Sequence, residues 1–221
     1  MNTKDLAQEI HTRLLNHYGY PTWHEPLAPI AELVSTILSQ NTNDINRDRG
    51  FYRLRERFPT WEEVRDAPEE EVIDAIRPAG LANQKGPRIQ NALRLITKER
   101  GKLELDFLTE IPLEEARKWL LNIKGVGPKT AAIVLLFALN CPAFPVDTHI
   151  HRVTERAGLL PPQMSAEKAH SYLEDQFPQT AYYPAHLNII SLGREICGAR
   201  KPQCSKCPLR DICKYYSKNR E

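Results

Sequence analysis

Four cysteines fall within seventeen residues as C-x6-C-x2-C-x5-C: Cys197, Cys204, Cys207 and Cys213. Disulfides are unfavourable in a reducing compartment, so thiols clustered this tightly point to metal ligation. Four sulfurs suit either tetrahedral zinc or an iron–sulfur cube. A structural zinc usually takes two C-x2-C knuckles, whereas only Cys204 and Cys207 are that close here. The wider loops favour iron–sulfur and leave zinc open. Either centre would be structural, because four protein ligands leave no coordination position for a substrate. Arg200 and Lys201 lie between the first two cysteines, so ligation would fix two cations at the surface. Cys141 stands apart at an apolar helix end and reads as a small buried hydrophobe.

A second chemical signal is the run Leu120-Leu-Asn-Ile-Lys-Gly-Val-Gly-Pro-Lys-Thr-Ala131. Gly125 and Gly127 flank Val126, whose side chain can fill the space between two helices. Glycines there permit unusual torsions and leave backbone amides uncovered. Amides aimed outward at a helix N-terminus bind phosphate without reading sequence. A plain helix–helix turn would need only one glycine. Lys129 follows in the first helical turn, where the macrodipole disfavours a lysine's charge and favours its neutral form. A neutral lysine is a nucleophile able to form a Schiff base at a sugar carbon. By itself, Lys129 reads rather as one more phosphate contact. Asp147, in Val146-Asp-Thr-His149, reads by itself as a helix N-cap. A carboxylate facing a lysine would instead stabilise positive charge on a deoxyribose, and sequence order does not choose between the two.

These residues must be positioned by helices, because almost every segment carries helical signals. Apolar residues recur at helical spacing over 5–16 and 30–39. Thr60-Trp-Glu-Glu63 is a capping box. Pro68 introduces 69–76, which ends before Pro78 and Gly80. An amphipathic helix spans 85–100, and Pro112 and Pro128 open helices over 113–123 and 129–139. Further helices are expected over 148–157, from a Ser165 cap to Phe177, and over 181–196. No stretch alternates strictly enough to be a strand. The expected fold is all-α.

The longest apolar run, Ala131 to Leu139, is half of what a bilayer crossing needs and reads as a core helix. The N-terminus lacks an apolar signal-peptide core, so the cytoplasm is the expected compartment. Net charge is only +2, but from Cys197 onward seven Lys/Arg face two acids, giving +5 there and −3 elsewhere. A basic tail on a near-neutral body suggests a polyanion contact or a solvated terminal face.

Taken in order, IKGVGPKTA, VDTHIHRV and the C-x6-C-x2-C-x5-C loop resemble the helix–hairpin–helix DNA glycosylases of the endonuclease III type. The resemblance runs from about Leu27 through Tyr216. It implies a six-helix domain with the hairpin over 24–141. A discontinuous domain over 1–23 and 142–221 carries a [4Fe-4S] cluster, with a DNA-binding cleft between the two. It implies that Lys129 is the nucleophile and Asp147 the essential carboxylate of a base-excision glycosylase and AP lyase. The implied partner is damaged or abasic duplex DNA, met by a monomer in the cytoplasm, on the nucleoid in a prokaryote. Leu81 falls where the family inserts an apolar wedge. Gln40 and Asn41 compete for the position of an amide that fills the gap left by a flipped base. Lys124 replaces a proline and adds a phosphate contact, and Pro128 replaces an arginine. His149 and Arg152 match positions near the DNA. Oxidised pyrimidines are the expected substrates. Thymine or uracil mispaired with guanine is the alternative on the same scaffold, and a non-catalytic DNA-binding module with structural zinc is the third reading.

Overall fold

A computed structural model describes residues 2–22 and 26–219. The expected boundary at residues 23 and 24, and Arg220 and Glu221 of the basic tail, lie outside them. Among the described residues every regular element is helical. In chain order they are α1 (Thr3–Tyr18), α2 (Pro29–Ser39), α3 (Asp44–Arg57), α4 (Trp61–Asp66), α5 (Glu69–Ala75) and α6 (Ala82–Arg100). There follow α7 (Leu113–Leu121), α8 (Pro128–Ile133), α9 (Thr148–Ala157), α10 (Ala166–Gln176), α11 (Tyr182–Glu195) and α12 (Lys214–Lys218). The chain forms two compact units, one from residues 26–141 and one from the segment before residue 26 together with that after residue 141.

In the 26–141 unit, α2 is the central helix. Pro29 opens it, and Ile30, Leu33, Val34, Ile37 and Leu38 are all buried. It packs against α3, α6 and α8. The Thr60 capping box is present, with Thr60 Oγ1 accepting from the Glu63 amide and Glu63 Oε2 from the Thr60 amide. Gly50 lets α3 approach the 3-10 turn Arg77–Ala79, since a Cβ there would lie 2.9 Å from the Ala79 Cβ. The apolar run that reads as one helix over 129–139 divides. The α-helix stops at Ile133, and Val134–Ala138 continues as π-helix. The Leu139 amide accordingly bonds to the Val134 carbonyl, five residues back.

In the other unit α1 lays Leu6, Ala7, Ile10 and Leu14 against α11, which also packs on α9. Phe144 anchors the chain entering α9. Its ring stacks on Phe177 at 5.1 Å and meets Tyr182 edge-on at 5.5 Å. His170 and His186 reach the Phe144 and Pro145 carbonyls through Nδ1. The stretch before Asp147 is thus held by side chains.

Candidate active site and metal centre

The hairpin joins α7 to α8. Val126 is buried, and its amide donates to the Ile123 carbonyl at 2.9 Å. Gly125 has φ +94°, and a Cβ on it would stand 2.8 Å from Arg88 Cδ. Gly127 is extended at the N-cap of α8. Lys124 and Lys129 are exposed on either side of these glycines. Gly125→Ala should cost about 1–3 kcal/mol in a denaturant titration, because both its torsion and its space exclude a side chain.

Two further turns lie in the same unit. At the end of α2, Gln40 Nε2 donates to the Gly125 carbonyl at 3.0 Å, and Gln40 Oε1 accepts from Arg88 Nη1 at 3.2 Å. Asn41 follows at φ 52° and is exposed. Before α6, Gly80 has φ 68° and Leu81 φ 50°, and Leu81 is 47% exposed. A non-glycine residue in left-handed torsion costs on the order of 1–3 kcal/mol and persists only where its surroundings determine it. Lys85, 1% exposed, lies beneath both turns. Its Nζ donates to the Leu38 and Ala79 carbonyls, each at 2.7 Å. Burial, with a smaller push from Arg88, lowers its pKa to about 8.

Asp147 lies in the other unit and caps α9, its Oδ1 accepting from the Ile150 amide at 2.7 Å. His149, Arg152 and Arg156 follow on one face of that helix, spaced by three and four residues. Arg152 donates to His149 Nδ1 at 3.1 Å, to the Gly193 carbonyl at 2.8 Å and to the Cys197 carbonyl at 2.9 Å. Arg156 donates to the Gly198 and Ala199 carbonyls at 2.8 Å each and to Cys197 Sγ at 3.4 Å. Its guanidinium lies 4.7 Å from the centre of the Tyr215 ring. These two arginines hold the start of the cysteine loop to α9. Arg200 and Lys201, further along the loop, are exposed.

Cys197, Cys204, Cys207 and Cys213 line one pocket, together with Ile196, Pro202, Tyr215, Tyr216, Arg156 and Arg210. Among the described residues no three His, Cys, Asp or Glu side chains converge as a single-ion site. Burial raises the Cys207 thiol to about 11, with Cys197, Cys213 and Cys204 adding to the rise against a backbone hydrogen bond at Leu209. Burial likewise raises Cys204, helped by Cys197 and Cys213. A cationic centre would offset that rise, because metal ligation takes the thiolate form. The donor set fits such a centre in kind: four thiols line one pocket, with Arg156 and Arg210 beside them to balance negative charge. Cys141 is a half-buried thiol in the other unit, its Sγ 3.6 Å from the Leu139 carbonyl.

The structure therefore gathers Gln40, Asn41, Leu81, Lys124, Gly125, Val126, Gly127 and Lys129 in one unit. Asp147, His149, Arg152, the four cysteines, Arg200 and Lys201 belong to the other. Sequence reasoning missed Lys85, Arg88 and Arg156. The spacing from His149 to Arg152 and Arg156 was a usable signal for the last. Nothing local marks Lys85, whose partner Leu38 is 47 residues away.

Residues 34–179 match the model of the HhH-GPD superfamily of base excision DNA repair proteins. The chain is 38% identical to Endonuclease III of Sulfolobus acidocaldarius, over 86% of this chain and 83% of that protein. It is 33% identical to Endonuclease III of Thermotoga maritima, over 96% of this chain and 92% of that one. Its structure superposes with a TM-score of 0.85 on a trapped endonuclease III–DNA covalent intermediate, an estranged-adenine complex. That superposition covers 100% of both chains at 28% identity. With its hairpin, its all-helical fold and a family match over well more than half its length, this chain belongs to the HhH-GPD superfamily of base excision DNA repair proteins.

Proposed function

We propose that the protein is a base-excision-repair DNA glycosylase with AP-lyase activity on oxidised pyrimidines in duplex DNA. The observation that carries this is Lys129, an exposed amine in the first turn of α8, directly after the Gly125–Gly127 hairpin. The hairpin amides and Lys124 take the DNA backbone, which places the duplex without reading its sequence. The damaged base leaves the stack, because its glycosidic bond is inaccessible inside it. Asp147 balances the positive charge that develops on the sugar and helps take a proton from Lys129. The amine then bonds to C1′ as the base departs with the glycosidic electron pair. The nitrogen loses a proton and the C1′–O4′ bond opens, O4′ taking a proton, which leaves an iminium that acidifies C2′. Loss of a C2′ proton breaks the C3′–O bond, so the strand is cut 3′ to the lesion.

Leu81 enters the space left by the flipped base. Asn41 is the better of the two amides to fill the gap, because the Gln40 amide is already engaged by Gly125 and Arg88. His149, Arg152, Arg200 and Lys201 support the DNA contact, the last two from the cysteine loop. Cys197, Cys204, Cys207 and Cys213 hold a [4Fe-4S] cluster, which fixes that loop and takes no part in the bond changes. Purified protein should be brown and carry iron and sulfide in equal amount, and Cys204→Ser should lose the colour. A colourless protein with stoichiometric zinc contradicts the cluster assignment.

The function is tested on duplexes carrying thymine glycol, 5-hydroxycytosine, uracil, a G·T mismatch or an abasic site. Thymine glycol, 5-hydroxycytosine and the abasic site should be cut. Cutting confined to the mismatch and abasic duplexes overturns the substrate assignment, and cutting of none overturns the activity.

A further inference from the structure

Lys85 does more than fill a core position. Its Nζ grips the Ala79 carbonyl, while its own amide donates to the Leu81 carbonyl at 3.0 Å. One residue therefore brackets Gly80 from both sides. The same Nζ reaches the Leu38 carbonyl, at the end of α2. Each of the two gripped segments runs within a few residues into an exposed side chain on left-handed backbone: Asn41 after Leu38, and Leu81 after Ala79. One helical turn further along α6, Arg88 adds the third tie, through Gln40 to the Gly125 hairpin. Burying an ammonium is costly, and an apolar side chain of similar volume would serve packing alone at least as well. What an apolar side chain cannot do is hold two carbonyls from separate segments at one point.

We infer that Lys85 is a positioning residue: its ammonium fixes the turn bearing Asn41 against the turn bearing Leu81, so that both side chains reach the opened base pair together. The ligand of this paired element is the gap in a base stack and the base left facing it. The inference rests on the DNA glycosylase reading above.

The test uses the full-length protein and two duplexes with the same lesion in the same strand. In one the lesion faces adenine. In the other it faces a one-nucleotide gap, where no base pair must be opened and no orphaned base must be met. Lys85→Met should lower kcat/KM on the paired duplex at least about tenfold, equivalent to about 1.4 kcal/mol, and change the gapped duplex by less than about threefold. A purely structural defect lowers both alike, in step with the fraction folded. Lys85→Gln is the second variant, should Lys85→Met fail to fold. Its amide can still donate to two carbonyls, so a smaller but equally selective loss is expected. Combining it with Leu81→Ala should add little to the loss from Leu81→Ala alone. Equal losses on both duplexes, no loss on the paired one, or full additivity overturns the inference. A wild-type protein that cuts neither duplex overturns the glycosylase reading instead.

Discussion

Lys129→Ala is expected to abolish covalent capture on DNA and to lower strand cutting at least about a thousandfold, equivalent to about 4 kcal/mol of transition-state stabilisation. The measurement is borohydride reduction of protein mixed with an abasic duplex, followed by a denaturing gel. Wild type should leave a slower band joining protein to DNA, and the variant none. The side chain is exposed, so its removal should leave stability within about 0.5 kcal/mol. A lost adduct then reports chemistry rather than unfolding. Lys124 is the internal control, exposed five residues earlier and on the same hairpin. Lys124→Ala should weaken DNA binding while keeping the adduct. If Lys129→Ala still forms the covalent band and Lys124→Ala does not, the nucleophile has been assigned to the wrong amine.

Asp147→Asn should reduce turnover by about a hundredfold to a thousandfold with DNA affinity nearly unchanged, as when one preorganised electrostatic contact to a transition state is removed. The substitution is informative because Asp147 caps α9 through the Ile150 amide. Asparagine caps a helix about as well as aspartate, so the fold loses little. The change removes a negative charge and keeps the cap. Asp147→Ala removes both and should additionally lower stability by about 1 kcal/mol. Single-turnover rates and melting temperatures of the two variants separate the roles. An Asp147→Asn enzyme with normal turnover would leave Asp147 only its structural part.

What could be read from the chain follows from how local each cause is. The capping box at Thr60, the Asp147 and Ser165 caps and the proline-opened helices were legible because cause and effect lie within a turn of each other. Helix α3 was not. Eight of its fourteen residues are charged, and only Gly50 and Leu54 are buried, so it has almost no apolar period to detect. Its Asn43 cap was the signal available, with Oδ1 accepting from the Asn46 amide. The π-helical segment after Ile133 has no composition to separate it from an ordinary core helix. In the candidate site, the cysteine spacing and the glycine hairpin were legible because each is a continuous motif. The ties that shape them were not. Arg156 becomes a brace for the cysteine loop only once α9 meets residues 197–199, and Lys85 acts on two carbonyls that only tertiary folding brings together.

The discontinuous unit also has a consequence for how the chain is made. The apolar face of α1 packs on α11, which begins about 160 residues later in the sequence. A ribosome adding roughly 5–20 residues per second needs on the order of ten seconds or more to span that interval. Residues 26–141 are contiguous and can complete their own core in that time. Leu6, Ile10 and Leu14 must wait, uncovered, for a partner not yet synthesised. Helix α1 therefore finds its place only after α11 has followed it.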